Sequence, residues 1–578
     1  MKIRAVSLLG LTAIILLSCC AGVVVLRAKS QASLSAQNQP QTVLYLHGRI
    51  YTNDPANPWA DAMSIRDGKI RCVGKIDFVL LECGGSESAT ETIHLHGKFV
   101  MPGFNDAHVH LGSAAADMLS VRLSGVTSVE ELQKRVADAV AHHEEGEWIT
   151  GSGWDHTLWP DKKFPTKQEL DAVAPKNPVF LTHVSGHVAV ANSLALQHGE
   201  ITKDTPNPPG GMIERDANGD PTGMLEEDSA MKLVSDRIPD LKTDQRRHGI
   251  EMVLADAAKN GVTSAQDFSD WADFLVYVQL KQEGKLTLRI TEWLPFIDSL
   301  DQLENMRAEG GTTDPWLRTG PVKGFLDGAL GSRTAALLAP YSDDPTTSGI
   351  LTNDPDKFRA MAIERDRAGF QINFHAIGDR ANREALDIFA AVAKANRPRD
   401  RRDRIEHAQV LAPEDLPRFA QLNVIASMQP SHETTDMRWA EQRLGPDRSK
   451  GAYAWASLLK SGAHLAFGTD YDVEPINPMR GLYACVTREL PEGGPAGGWQ
   501  PQEKISLEDC IRAYTSGSAY AQFDEGKKGE LKPGEFADFI ILSDDITKIP
   551  PQQLMKVTVL RTVVGGRTVY SQGDNLLP

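Results

Sequence analysis

At 578 residues, 41% of them apolar, the chain is too long for one compact domain and can bury a large core. Its 77 acidic side chains outweigh 61 basic ones for a net charge of −16. With no basic surplus to form a footprint, nucleic-acid binding is excluded, and an acidic soluble surface is the reading of that charge.

The chain opens with Lys2 and Arg4, an uncharged segment from Ala5 to Leu26, and then Arg27 and Lys29, the pattern of a targeting or anchoring segment over residues 1–29. At about 1.5 Å per residue that segment is long enough for a bilayer core of about 30 Å. A second reading is a lipoprotein signal at Leu16-Leu17-Ser18-Cys19, with Cys19 acylated, although Leu17 departs from the usual pattern. Residues 30–42, rich in Gln, Ser, Ala and Asn, read as a tether. Every version puts the body of the protein outside the cytoplasm, held to or exported across a membrane. Disulfides are permitted there, and Cys72 with Cys83 is the nearest pair.

Strand patterns fill residues 43–100, including Ala62 to Arg66, a turn at Asp67-Gly68, and Lys69 to Val73. They return in residues 526–572, so one β-sandwich domain composed from both ends of the chain is expected. Between them, over residues 101–525, eight short apolar runs read as parallel strands: Phe104 to His108, Val262 to Gln266, Leu288 to Trp293, Val322 to Leu326, Gln371 to His375, Arg404 to His407, Val424 to Met428 and His464 to Thr469. Helical stretches such as Lys357 to Ala368 and Arg380 to Ala395 separate them, which makes a (β/α)8 TIM barrel the expected fold. The gap after the first run is far too long for a loop, so an inserted subdomain is expected at about 113–247. In it, Trp154, Trp159 and Phe164 read as subdomain core, and Met212 to Arg215 with Pro221 to Met224 as a hairpin.

Barrel active sites lie at the C-terminal ends of the strands, and five ligand-type residues fall there: His108 and His110 on strand one, His375 on strand five, His407 on strand six and Asp470 on strand eight. His108 and His110, one residue apart on a strand, share a face and can grip one ion. Four imidazoles and a carboxylate suit Zn²⁺ or a similar divalent ion. His94-Leu95-His96 has the same spacing but lies before the barrel, and His464 begins strand eight instead of ending it.

These pieces resemble the amidohydrolase superfamily, and within it the amidohydrolase-3 branch that includes N-substituted formamide deformylases. The resemblance rests on Met101-Pro102-Gly103-Phe104-x-Asp106-x-His108-x-His110, on Asp327-Gly328 with Gly331-Ser332-Arg333-Thr334, on His375-Ala376-Ile377-Gly378-Asp379, on Glu406-His407, and on Gly468-Thr469-Asp470. Ser185-Gly186-His187 and Leu531-Lys532-x-Gly534 join them, so it runs from about Val43 to Tyr570. It implies a metal-bearing barrel with a composite β-sandwich, one or two divalent ions, zinc being the expected one, and a small-molecule substrate. Lys323 enters as a sixth candidate ligand, because a lysine on this strand is carboxylated and bridges two metals in binuclear members; the alternative is a lysine paired with Asp327. Asp470 is the expected catalytic acid and base in hydrolysis of an amide or formamide C–N bond by metal-activated water. His187 and Arg333 are expected substrate contacts, with a hairpin hydrogen bond and a salt bridge as their structural alternatives. A phosphotriesterase-, lactonase- or deaminase-like hydrolase, or an anchored binding protein without turnover, are the competing functions. Oligomeric state has no signature in the chain.

Overall fold

The computed structural model describes residues 42–83 and 91–573. The anchoring segment and nearly all of the tether lie outside the described residues, among which no helix is long and apolar enough to cross a membrane. The chain divides into two compact units, one of residues up to Gly103 with Asp524–Ile549 and Val557 onward, the other of Phe104–Phe523 with Pro550–Lys556.

The first unit is an eight-stranded sheet drawn from both ends of the chain. Its strands run in the order Arg567–Ser571, Val559–Val564, Phe539–Leu542, Phe99–Pro102, Thr42–Tyr51, Trp59–Arg66 and Lys69–Gly74. The sheet branches at Thr42–Tyr51, whose first half pairs in parallel with Glu91–His94 and whose second half pairs with Phe99–Pro102. Asp67 and Gly68 turn the predicted hairpin with φ of 53° and 76°, the two positive values that a tight two-residue turn demands. Alternation splits its apolar residues between two clusters: Tyr45, Ile50, Met63, Ile65 and Phe539 in one, Leu44, Leu46, Ala62 and Val79 in the other. Cys72 and Cys83 are disulfide-bonded in the second cluster, as the sequence suggested, and Cys485 is bonded to Cys510 in the other unit.

The second unit contains an eight-stranded parallel barrel. Its strands are β1 (Phe104–Val109), β2 (Val262–Asp267), β3 (Arg289–Pro295), β4 (Leu317–Phe325), β5 (Ile372–Ala376), β6 (Arg404–His407), β7 (Ile425–Met428) and β8 (Leu465–Phe467), each within a few residues of the run that predicted it. They pair in sequence order, as right-handed βα units require. The ring closes past β8: Asp470 N–H donates to the His108 carbonyl at 2.8 Å and His110 N–H to that of Tyr471 at 2.5 Å.

The insertion is a six-stranded sheet of its own, ordered Met212–Arg215, Pro221–Glu226, Val188–Ala191, Val179–His183, Ile149–Trp154 and Val121–Arg122. It is bounded by two helices, Leu111–Leu119 and Thr243–Lys259, that pack on each other so closely that a Cβ on Gly249 would lie 2.5 Å from the Ala115 carbonyl. Trp154 and Trp159 are core, their indole N–H groups donating to the Leu181 and Val126 carbonyls, whereas Phe164 is 36% exposed.

Candidate metal centre

Strands whose apolar residues fill the barrel deliver their last polar residue to its C-terminal mouth. Asp106 of β1 acts as a latch there: Oδ1 accepts the N–H groups of Thr469 (2.9 Å) and His108 (3.2 Å), and Oδ2 accepts the Thr469 hydroxyl (2.6 Å). This latch needs a residue without a side chain at 468, because a Cβ on Gly468 would sit 2.6 Å from both Asp106 Oδ1 and the His108 nitrogen. Gly468→Ala is therefore expected to cost about 1–3 kcal/mol of overpacking, read as a lower urea midpoint with unchanged slope. His407 and Asp470 have φ of 72° and 58°, a left-handed backbone that non-glycine residues hold only where surrounding structure compels it.

All five strand-end residues predicted from the sequence lie near one another. Asp470 Oδ1 is 3.2 Å from His110 Nε2 and 3.5 Å from His108 Nε2, and Oδ2 is 4.0 Å from His407 Nδ1. The ring of His407 packs 5.1 Å from that of His108 and 4.6 Å from that of His375. Each imidazole gives one nitrogen to an oxygen acceptor. His108 Nδ1 meets Glu406 Oε2 at 2.8 Å, His110 Nδ1 the Phe268 carbonyl at 3.0 Å, His407 Nδ1 Gln429 Oε1 at 2.8 Å, and His375 Nε2 the Gly328 carbonyl at 3.2 Å. An oxygen that can only accept makes the facing nitrogen the N–H and leaves the opposite nitrogen with its lone pair. Burial and the Lys323 charge pull His108 down to about 4 and His375 to about 3, so both rings are neutral donors.

This donor set fits a divalent ion. Neutral imidazoles oriented by outer hydrogen bonds are the arrangement that metal sites use, and Asp470 Oδ1 is buried without a hydrogen bond of its own. His432, which the sequence reading missed, has its Nε2 3.5 Å from Asp470 Oδ2 and equally unbonded. It sits in the helix Pro430–Asp436, four residues past the end of β7. A search of strand ends alone stops short of it; the signal was strand seven carrying no ligand while a histidine followed within one helical turn.

Beneath the cluster lies a buried ion pair. Arg404 donates to both oxygens of Glu406 (2.8 and 3.0 Å), to Ser427 Oγ (2.7 Å) and to the Ala107 carbonyl (2.8 Å). Burial alone would push the Glu406 carboxyl up, but Arg404 and the His108 hydrogen bond hold it at about 2. An anionic Glu406 is thus available to fix His108.

Lys323 is 2% exposed, with Nζ 3.2 Å from His108 Nε2 and the rings of Phe325, Trp293 and Phe268 about it. Asp327 is not its partner: that carboxylate accepts N–H groups of Ala336, Ile377 and Gly378. His187 and Arg333 are not brought into the cluster. The His187 ring pairs with Glu227 at 3.1 Å and is 59% exposed, and Arg333 clasps Asp343 through two nitrogens at 3.2 and 2.9 Å. His94, in the other unit, meets His47 at 2.9 Å. A cavity of about 1100 Å³ opens beside His110, with Trp148, Trp271, Trp293, Phe268 and Phe325 among its walls.

A closed parallel barrel with histidines and an aspartate gathered at its C-terminal mouth defines a metal-dependent hydrolase of the TIM-barrel type. The amidohydrolase family model matches residues 91–570, and the chain belongs to that family, in its amidohydrolase-3 branch. It is 37% identical over 544 residues to Protein LONG AFTER FAR-RED 3 of Arabidopsis thaliana, covering 91% of each chain. It is 27% identical to N-substituted formamide deformylase of Arthrobacter pascens, over 92% of this chain and 99% of the relative. Among solved structures, a metal-dependent hydrolase from Pyrococcus horikoshii superposes with a TM-score of 0.74 at 29% identity, over 88% of this chain and 99% of the other.

Proposed function

We propose that this protein is an amidohydrolase acting on an amide or formamide C–N bond, with Asp470 as its catalytic acid and base. The observation that carries the reading is the set of imidazoles whose outer nitrogens are tied to oxygen acceptors while Asp470 Oδ1 is buried and unbonded beside them. His108, His110, His375, His407 and Asp470 would hold the metal, with His432 a further donor; the donor chemistry suits zinc. A divalent ion here would supply Lewis acidity, lowering the pKa of a water and polarising the scissile carbonyl. Asp470 orients the attacking water, takes its proton as the carbonyl carbon is attacked, and hands that proton to the departing nitrogen, so the C–N bond breaks with a neutral amine leaving. The cavity beside His110 receives the substrate, its indole and phenyl walls favouring an apolar or aromatic substituent. The formamide deformylase relative supports this bond class.

A screen of N-formyl, N-acyl, ester and phosphotriester substrates tests the reading. Hydrolysis of formamides or amides is expected, abolished by chelator and restored by Zn²⁺; turnover confined to esters or phosphotriesters would overturn it.

We further propose that Lys323, as a carbamate, would help to hold two ions. Its amine would add to CO2 with loss of a proton, and the carbamate oxygens would face the cluster where a bare ammonium beside two cations is unfavourable. The support is a buried amine directed at His108 Nε2 and, among the described residues, paired with no carboxylate. Lys323→Ala is expected to lower bound metal from two ions per chain to one by elemental analysis, with activity partly rescued by added short carboxylic acids. Unchanged metal content would refute this role.

The body of the enzyme is assigned to the outside of the cytoplasm, on the charged and apolar pattern of residues 2–29 and the two disulfides. Fractionation that recovers the full-length protein in the cytosol with free thiols would refute this.

A further inference from the structure

We propose that Asp155, His156 and His183 form a second metal site, separate from the barrel centre and selective for a borderline divalent ion such as Zn²⁺. Neighbouring parallel strands of the inserted subdomain, Ile149–Trp154 and Val179–His183, end in register with Trp154 opposite His183. The residues that follow Trp154 are therefore delivered to the last side chain of the next strand, just as barrel strands deliver ligands to a mouth.

His156 Nδ1 lies 3.4 Å from His183 Nε2, and His183 Nε2 lies 3.9 Å from Asp155 Oδ1. One ligand atom from each residue falls within 4.8 Å of the others. Tetrahedral zinc with bonds of about 2.0–2.1 Å separates its ligand atoms by about 3.4 Å, so small side-chain adjustments seat an ion among these three. Two imidazoles and a carboxylate match the ion's preference, and they leave the fourth position open. Asp155 and His183 retain 25% and 10% side-chain exposure, which gives an ion and a water ligand a way in.

The surroundings restrain the ligands as well. Asp155 caps the turn that carries His156, Oδ1 accepting the Thr157 N–H at 2.9 Å and its hydroxyl at 2.7 Å. The His156 ring packs 4.2 Å from Phe164, and the His183 ring stands edge to face 4.6 Å from Trp154. Ser185 stands on the outer side of His183: its backbone N–H donates to Nδ1 at 3.1 Å and its Oγ lies 2.9 Å from the same nitrogen, so binding an ion through Nε2 requires the N–H contact to give way to an Nδ1–H···Oγ bond, the outer-shell contact that fixes a ligating imidazole. This role also accounts for Phe164, which keeps an exposed edge while covering His156. Bound metal would pin the turn 155–158 to the segment 183–187.

The test uses the full chain with His108→Ala and His110→Ala weakening the barrel centre, stripped by chelator and dialysed against Zn²⁺ alone. Metal remaining by elemental analysis is expected to fall by one equivalent when His156→Ala and His183→Ala are added, and Ser185→Ala should weaken that equivalent by about 10–100-fold. Metal content indifferent to His156 and His183 would overturn the proposal and leave only an imidazole hydrogen bond. A measurement without substitutions guards against misfolded variants: Zn²⁺ should protect His156 and His183 from diethyl pyrocarbonate in the unaltered chain, and equal modification with and without Zn²⁺ would also overturn it.

Discussion

Asp470→Asn is expected to lower kcat by about 10²–10⁴-fold, the range that a positioned acid and base contributes, while most of the bound metal is retained. Two features of the structure separate these effects. Four imidazoles with fixed outer nitrogens remain to hold the ion, so one weakened oxygen donor does not dismantle the site. Asparagine preserves the volume and the left-handed backbone at φ 58°, which Asn tolerates better than most residues, but it cannot take a proton. Parallel assays of kcat and metal content decide the matter. Near-normal turnover with full metal would remove Asp470 from the chemistry, whereas loss of both together would make it chiefly a ligand.

The second large effect is on stability. Arg404→Met should destabilise the barrel by about 3–5 kcal/mol, because it strands Glu406 as an unpaired buried anion. Arg404 and Glu406 are 1% and 0% exposed, and Arg404 also satisfies Ser427 Oγ and the Ala107 carbonyl. Replacing both partners removes the stranded charge, so Arg404→Met with Glu406→Leu should recover much of that loss while leaving His108 Nδ1 without its acceptor. Urea unfolding of the two single variants and the double variant measures the coupling; additive losses would mean that the pair does not act as a unit. The double variant is expected to bind metal about 10–100-fold more weakly even where it regains stability, since an outer-shell partner of a ligand is gone.

The barrel strands were legible because a buried parallel strand is a short apolar run with little alternation, and each of the eight is bounded by turn or helix signals. Their last residues were legible for the same reason: once His108, His375, His407 and Asp470 sit at strand ends, the fold alone sends them to one mouth. His432 escaped because it lies on a helix after β7, where distance along the chain no longer reports distance in space. The surroundings of Lys323 were only partly legible. Pairing with Asp327 was one of two readings of Lys323, yet backbone N–H groups of Ala336, Ile377 and Gly378 occupy that carboxylate. His187 and Arg333 were visible as motif residues, but their contacts with Glu227 and Asp343 depend on how loops fold back, which local pattern does not encode. The bond between Cys485 and Cys510 is of the same kind, joined across 25 residues of intervening chain.

The sequence by itself determined the kind of molecule this is: an acidic, multi-unit chain with a parallel barrel and a histidine and aspartate set at its strand ends. Periodicity and strand-end position are local properties, and those conclusions need nothing further. Only the tertiary structure decided which nitrogen of each imidazole is free, that Arg404 keeps Glu406 ionised beneath His108, and that His432 joins the centre. It alone brought Asp155 and His156 against His183. These depend on hydrogen-bond partners tens to hundreds of residues apart, and such pairs exist only after the barrel closes and neighbouring strands fall into register.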